Sequence, residues 1–279
     1  MRLPPSPPWP RESILAAART MAGGAGTVPA LLATLMSPDA DPRKVVAAIH
    51  NAPGIALRVL KVANSAFYGR VGRVDTMDRA VQVLGLDVVR TMASAACLDR
   101  VMPGSDGNGG PSSVNLLNHS LATAVLARDL ALLLLPERSA DAFLAGLLHD
   151  LGYRVVQRLI ASDAQGGSAP AADAATLARR WHGACAALVF HSWNLPDWLA
   201  RVVAFHHEPA GAGAEHERLT RIVAAAEHLA DASGHGLALD ELSDEPWPLP
   251  ELVPDGPAVT ELRQRWPQSL AALNLALAA

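Results

Sequence analysis

Histidine is unevenly distributed along the 279 residues, because eight of the ten histidines lie between His119 and His228. Within this stretch, His149 and Asp150 directly follow the apolar run 142–148. A carboxylate at the end of a buried segment needs partners, since an unpaired buried charge is strongly destabilising. A divalent metal is one such partner, because imidazole and carboxylate together suit Fe, Mn, Zn or Ni. A hydrogen bond from a second histidine is the alternative.

Other histidines and carboxylates on either side of this pair are candidates for the same site. The predicted metal ligands are His119, His149, Asp150, His182, His206, His207 and Asp231. For each of them the alternative is a hydrogen-bonded polar group at a buried helix end. His206 and His207 are adjacent, so on a helix their side chains would point roughly 100° apart. At most one of that pair is therefore predicted to face the site.

Several other kinds of site are excluded by motif and charge. The sequence has no GxGxxG or Walker A loop, because the glycine-rich stretch 104–110 lacks the lysine and the preceding strand. No nucleophile elbow for Ser-His-Asp catalysis is present. The net charge of −4 argues against non-specific binding to nucleic acid or to a membrane surface. The most apolar run, 130–135, is far too short to span a bilayer.

The elements that must position these residues are predicted to be helices. Half of the residues are hydrophobic and only 4% are aromatic, and scarce aromatic strand formers favour an all-α fold. Asp41-Pro42 and Thr76 are predicted helix starts, and Gly85 a helix end. Cys97 and Cys185 have no partner at zinc spacing, so we expect reduced thiols that pack as small hydrophobes.

Proline, glycine and charge divide the chain into five predicted segments. A proline-rich arm over 1–10 precedes a helical bundle over 11–102, and a Gly/Pro-rich loop or linker over 103–113 follows. A second helical core over 114–235 contains the histidines. The final segment, 236–279, is predicted to be a tail with a C-terminal helix near 258–278.

Three local sequences resemble the metal-dependent phosphohydrolases of the HD superfamily. His119, His149-Asp150 and Asp231 match their H…HD…D pattern, in the segments 118–124, 147–152 and 228–231. The first half resembles the HDOD branch in particular. Residues 60–69 (LKVANSAFYG) and 80–86 (AVQVLGL) are similar to its signature, and the resemblance spans roughly 25–235. It implies an N-terminal helical bundle packed on an HD-type helical core.

The chain departs from the resembled cyclic-dinucleotide phosphodiesterases at two places. Those enzymes carry a lysine soon after the HD pair, and here Tyr153 stands there. Their glycine-tyrosine-proline motif is replaced by Pro209-Ala210-Gly211. Tyr153, unlike the lysine that it replaces, has no positive charge to neutralise a phosphate. Arg154 and Arg158 could compensate, but we expect both on a solvated helix face.

Two functional hypotheses follow from the resemblance. The first is a bacterial, cytoplasmic signal-transduction module that contacts protein partners through 11–102, with a degenerate HD-type site that still binds a divalent metal. The alternative is a metal-dependent phosphohydrolase or phosphodiesterase acting on a nucleotide or cyclic dinucleotide. An intermediate hypothesis is a degenerate enzyme that senses a bound metal or nucleotide.

Overall fold

A computed structural model describes residues 6–21, 27–37, 41–64, 74–101, 111–165, 174–237, 247–249 and 256–278. These residues form helices and turns, with no β-strand among them, so the fold is all-α as predicted. The helices in chain order are α1 Arg11–Met21, α2 Thr27–Met36, α3 Pro42–His50, α4 Pro53–Ala63, α5 Met77–Leu84, α6 Leu86–Val101, α7 Ser113–Leu134, α8 Ser139–Leu148, α9 Leu151–Gln165, α10 Ala174–Ser192, α11 Asp197–Ala204, α12 Ala214–Ala230 and α13 Pro257–Ala278.

Side-chain caps explain where several helices begin. Asp41 accepts a hydrogen bond from the backbone N–H of Arg43 at 2.9 Å, with Pro42 in the first turn. Thr76 caps α5 in the same way, and both starts confirm the prediction. Gly85 ends α5 with a φ of 85°, a left-handed conformation that favours glycine. Ser112 caps α7 through the N–H of Asn115.

Asn64 fastens the end of α4 to the chain that follows. Its amide nitrogen donates to the carbonyl oxygens of Leu60 and Val74, at 2.8 and 2.5 Å, and its oxygen accepts from the N–H of Val74 at 2.8 Å. A short amide side chain of this kind commonly binds nearby backbone groups in this way. The aromatic pair of the signature, Phe67 and Tyr68, lies outside the described residues, as does most of the predicted loop 103–113.

Helix α7 lies at the centre of the second half and carries the first predicted ligand, His119. It packs against α8, α12 and α13. By length and composition α7 could cross a membrane, but 72% of its most apolar 18-residue stretch is buried inside the fold. Burial on nearly all sides is the behaviour of a core helix in a globular protein. The helices around α7 therefore fix the depth and direction of His119.

The first and last helices each pack on the opposite half of the chain. Helix α1 packs against α9 and α10. Just before α1, Trp9 donates a hydrogen bond to Asp163 of α9 at 2.8 Å. Helix α13 packs against α4, α6 and α7. The buried apolar side chains form one continuous core that includes residues from both halves. The predicted division into an N-terminal bundle and a histidine-bearing core is thus crossed at both ends of the chain.

Cys97 and Cys185 are free and buried among these helices. Burial raises the pKa of each thiol to about 12. Both thiols are therefore protonated at neutral pH and pack as small apolar groups.

Candidate metal centre

The His149-Asp150 pair lies in the tight turn that joins α8 to α9. The seven residues before it, Ala142–Leu148, are all buried, so the turn delivers both side chains into the interior. Gly152 lets α9 approach α10 closely, because a Cβ at this position would lie 1.8 Å from the carbonyl oxygen of His182. The same close approach brings His182 next to the pair.

Each of four buried histidines donates its Nδ1 proton to a backbone carbonyl. The acceptors are His235 for His119 at 2.9 Å, Gly146 for His149 at 2.8 Å, Ala178 for His182 at 3.0 Å, and Val203 for His206 at 2.7 Å. A carbonyl oxygen can only accept, so in every ring Nδ1 carries the proton. The Nε2 atom of each neutral ring is then a lone-pair donor to a metal, the arrangement typical of metal-binding histidines.

The four Nε2 atoms converge on the carboxylate of Asp150. On one side, the Nε2 atoms of His119 and His149 lie 3.2 Å apart and 3.3 and 3.2 Å from Oδ2. On the other side, those of His182 and His206 lie 3.1 Å apart and 3.4 and 3.8 Å from Oδ1. Asp150 thus presents one oxygen to each pair of imidazoles.

The protonation states of these groups test whether a cation fits. Burial would raise the pKa of Asp150, but its electrostatic contacts and hydrogen bonds with His149, His119 and His182 outweigh burial and hold that pKa well below its usual range, so this carboxylate is ionised. Burial lowers the pKa of both His182 and His206. Their Nε2 lone pairs therefore face each other with no proton between them. Ligand atoms about 3 Å apart are typical of a single ion bound at about 2.1 Å, so the donors fit a metal.

On the other side of Asp150, a proton on His119 can relieve the contact between the Nε2 atoms of His119 and His149 when no metal is bound. Burial alone would lower the pKa of His119, but the hydrogen bond and charge of Asp150 outweigh it and raise that pKa. Two buried atoms in the cluster nevertheless have no hydrogen-bond partner among the described residues, Asp150 Oδ1 and His207 Nε2. Buried polar atoms without a partner are rare, and a cation would satisfy both.

Ligand atoms in this region form two groups, each compact enough for one ion. His182, His206 and His207 make one group, and His119, His149, Asp150 and Glu227 make the other, with all ligand atoms of a group within 4.8 Å of one another. Sequence reasoning missed Glu227. Its carboxylate oxygens lie 3.9 Å from Nε2 of both His149 and His207, and 4.0 Å from that of His206. Glu227 therefore faces both groups from α12.

The structure places Asp231 and the pair His206-His207 in ways that the sequence did not predict. Asp231 lies 3.5 Å from Nδ1 of His119, the nitrogen that points away from the cluster, so it supports His119 from behind. His206 and His207 both bring Nε2 to the cluster, although at most one was predicted to do so. The physical reason is that α11 ends at Ala204, and the two histidines lie in the following turn, where helical spacing does not apply.

Residues 25–209, about two thirds of the chain, match the HDOD domain. The chain belongs to the HDOD domain family. An uncharacterized protein of Treponema pallidum (strain Nichols) is 26% identical over 197 residues, which is 67% of this chain and 38% of that relative. The chain therefore spans well under half the length of the curated relative that it matches.

Solved structures share the HDOD fold at low sequence identity. An HDOD domain protein of unknown function from Geobacter sulfurreducens has a TM-score of 0.66 at 19% identity, covering 95% of this chain and 98% of that one. A candidate signal transduction protein from Marinobacter aquaeolei VT8 scores 0.65 at 22%, covering 90% and 57%. A candidate phosphohydrolase from Shewanella amazonensis SB2B scores 0.59 at 19%, covering 94% and 97%. The fold is thus shared by proteins assigned to both signalling and hydrolysis.

The residues that follow the HD pair in this HDOD domain form a buried wall. Tyr153 is 1% exposed and stacks on His182, with ring centroids 4.2 Å apart and an angle of 9° between the planes. The expectation that Arg154 is solvated is wrong, since it is 3% exposed. Its guanidinium donates to Gln157 at 2.7 Å and to Ser113 at 3.0 Å, which compensates for its burial. Arg154 therefore braces α9 against the start of α7.

The cluster opens to solvent on the side of His207. This imidazole is 38% exposed, whereas the side chains of Asp150 and the other four clustered histidines are at most 2% exposed. Arg179, an exposed residue one turn before His182 on α10, adds positive charge near this opening. Burial first, and then the neighbouring charges including that of Arg179, lower the pKa of His207 to about 3.

The histidine pKa values predict acid sensitivity for the metal-free HDOD domain. The pKa values of His182, His206 and His207 are lowered in the folded state, so the unfolded chain binds more protons as pH falls through about 6.5. Stability contributed by these groups is complete above that pH and is lost as pH falls toward their folded pKa values. His119, with its raised pKa, opposes the effect but is outnumbered. We expect the urea midpoint in EDTA to be lower at pH 5.5 than at pH 7.5, and a higher midpoint at pH 5.5 would contradict this prediction.

Proposed function

We propose that this HDOD domain is a signalling module that binds two divalent metal ions. His119, His149 and Glu227 would hold one ion, and His182, His206 and His207 the other, with Asp150 shared between them. The observation that carries the proposal is the convergence of four Nε2 atoms, each fixed by a backbone hydrogen bond at Nδ1, on the carboxylate of Asp150. Imidazole and carboxylate donors suit Fe, Mn, Zn or Ni.

We infer that the bound metal serves the module by organising its buried centre, with signalling carried by protein partners in the cytoplasm. When bound, the ions supply concentrated positive charge that satisfies Asp150 and Glu227. The site's own residues then hold α7, α8, α10 and α12 together around one point. We propose that the partner contacts the N-terminal helices within 11–102.

Metal analysis of the full chain tests this function. Protein purified without added metal should contain about two Fe, Mn, Zn or Ni ions per chain, and EDTA should lower the melting temperature. Ligand at about 100 times its Kd stabilises a fold by about 2.7 kcal/mol, so adding Mn²⁺ should restore several degrees.

The matched control for this experiment is an exposed histidine outside the cluster. His191 is 48% exposed and pairs with Asp197 at 3.3 Å. His191→Ala should behave as wild type, whereas His149→Ala should lose most of the metal and of the EDTA response. The proposal would be refuted if the purified protein contained no metal and its melting temperature changed with neither EDTA nor Mn²⁺.

Metal-dependent phosphohydrolysis of a nucleotide or cyclic dinucleotide is the second candidate function. The complete set of ligand groups and the opening beside His207 and Arg179 favour it, while the buried Tyr153 in place of a cation argues against it. Assays with Mn²⁺ or Fe²⁺ should then show turnover that His149→Ala and Asp150→Ala abolish and that His191→Ala retains. Turnover that is equal in all four proteins would come from a contaminant and would exclude this function for the substrates tested.

A further inference from the structure

His119 obtains its orienting hydrogen bond in a different way from three other clustered histidines. His149, His182 and His206 donate to carbonyl oxygens three or four residues earlier in the chain. Those three rings are therefore oriented by their own local backbone. His119 donates to the carbonyl of His235, 116 residues away. The direction of the His119 lone pair consequently depends on a segment remote in sequence.

That segment follows α12 as a single wide turn, Asp231–His235. Gly234 has a φ of 81°, so the chain leaves the helical path there and turns the carbonyl of His235 toward α7. Gly236 packs closely against Asp231, because a Cβ added at Gly236 would lie only 3.1 Å from Oδ1 of Asp231. The whole segment lies beyond residue 209, where the match to the HDOD domain ends.

The C-terminal helix holds this turn in place. The ring of His235 meets the ring of Trp266 edge-on, with centroids 5.1 Å apart. Trp266 is 3% exposed and belongs to the continuous core, so its position is fixed by packing. Helix α13, which carries Trp266, also packs against α4 and α6 of the first half. A path of direct contacts therefore runs from the first half through α13 and His235 to His119.

We propose that Trp266 and His235 are positioning residues for the metal ligand His119, and that docking of α13 is coupled to metal occupancy. This inference depends on the metal binding proposed above. An ion held by His119 fixes the imidazole and so favours the carbonyl position that α13 maintains. By linkage, docking of α13 and binding of that ion favour each other by the same factor. A change in α13 docking that shifts His235 therefore lowers the affinity for that ion. Because α13 packs against α4 and α6, a change in metal occupancy is expected to affect the N-terminal helices that we propose contact the partner.

The test compares two tryptophans of the C-terminal tail in the full chain. Trp266→Leu removes the contact with His235, while Trp247→Leu removes an equivalent edge-on contact with His228, at 5.7 Å, which is outside the cluster. In Mn²⁺ titrations, Trp266→Leu should weaken one of the two ions by about tenfold, the size typical of lost outer contacts at metal sites. The other ion should be unaffected, and Trp247→Leu should weaken neither.

A second measurement separates positioning from general destabilisation. Hydrogen exchange in 257–271 of the wild type should slow when Mn²⁺ is added, and this metal-dependent protection should disappear in Trp266→Leu. Trp266→Phe, which keeps an aromatic edge contact, should recover most of the affinity. If Trp266→Leu does not fold, the exchange measurement on wild type and the Trp266→Phe titration still decide the matter.

The outcomes distinguish the two proposals. A wild type that binds no Mn²⁺ would overturn both of them. A wild type that binds two ions, with equal affinities in Trp266→Leu and Trp247→Leu and no metal-dependent protection of α13, would overturn the coupling alone.

Discussion

Asp150→Asn is expected to lower the affinity for both metal ions by at least about 100-fold, because one carboxylate serves both groups of ligands. Its Oδ2 lies beside His119 and His149, and its Oδ1 beside His182 and His206. An amide has no negative charge and offers only one oxygen, so neither ion keeps an anionic shared ligand. Isothermal titration with Mn²⁺ on EDTA-treated protein measures the loss directly.

The same substitution should leave the metal-free fold intact. The amide nitrogen of an asparagine can donate a hydrogen bond to an imidazole Nε2, which relieves the contact of lone pairs between His182 and His206. We therefore expect the urea midpoint in EDTA to be unchanged or raised. Asp129→Asn is the matched control, because Asp129 is also a buried carboxylate but pairs with Arg128 on α7. It should keep both ions, and retention of both ions by Asp150→Asn would exclude a bridging role.

Gly152→Ala is expected to be the most destabilising single-methyl change in the centre of the fold. The added Cβ would lie 1.8 Å from the carbonyl oxygen of His182 and 2.5 Å from its carbonyl carbon. Both are backbone atoms of α10 and cannot rotate away, so α9 and α10 must separate. Overpacking of this kind costs about 3 kcal/mol or more when the backbone has to move. Urea unfolding in EDTA measures the cost without a contribution from metal.

The separation of α9 and α10 should also weaken metal binding, since it moves His182 away from Asp150. Gly54→Ala is the control within a helix, because its Cβ would meet only the mobile end of Arg100, at 3.3 Å. That variant should be neutral or stabilised by about 0.5 kcal/mol. Equal stabilities of the two variants would show that α9 and α10 tolerate a wider spacing.

Local sequence signals were sufficient to predict the helices but not every site residue. Caps such as Asp41 and Thr76 act within three residues, so the chain alone determines them. The His149-Asp150 pair was found because it follows an apolar run that has to be buried. Glu227 was missed because the resemblance pointed to Asp231, four residues later and just beyond the end of α12. Which of those two carboxylates reaches the cluster depends on where α12 passes α8, and no local pattern records that distance.

His207 and Arg154 also depart from expectation, because their positions depend on a helix end and on a distant partner. His207 joins the cluster because α11 ends three residues before it, and helix ends are the least predictable feature of a sequence. Arg154 is buried because Gln157 and Ser113 bind its guanidinium, and Ser113 lies 41 residues away. Arginine is almost never buried without such partners, so a distant partner was needed to overturn the usual expectation.

The crossing of α1 and α13 onto opposite halves has a consequence for how the chain comes apart. Cleavage between 102 and 110 would leave two fragments, each lacking a helix that covers its apolar surface. The N-terminal fragment would carry α1 without α9 and α10, and the C-terminal fragment would carry α13 without α4 and α6. Such fragments are expected to reassociate into one complex when mixed. In the intact chain, the same interlocking should merge the unfolding of both halves into a single cooperative transition.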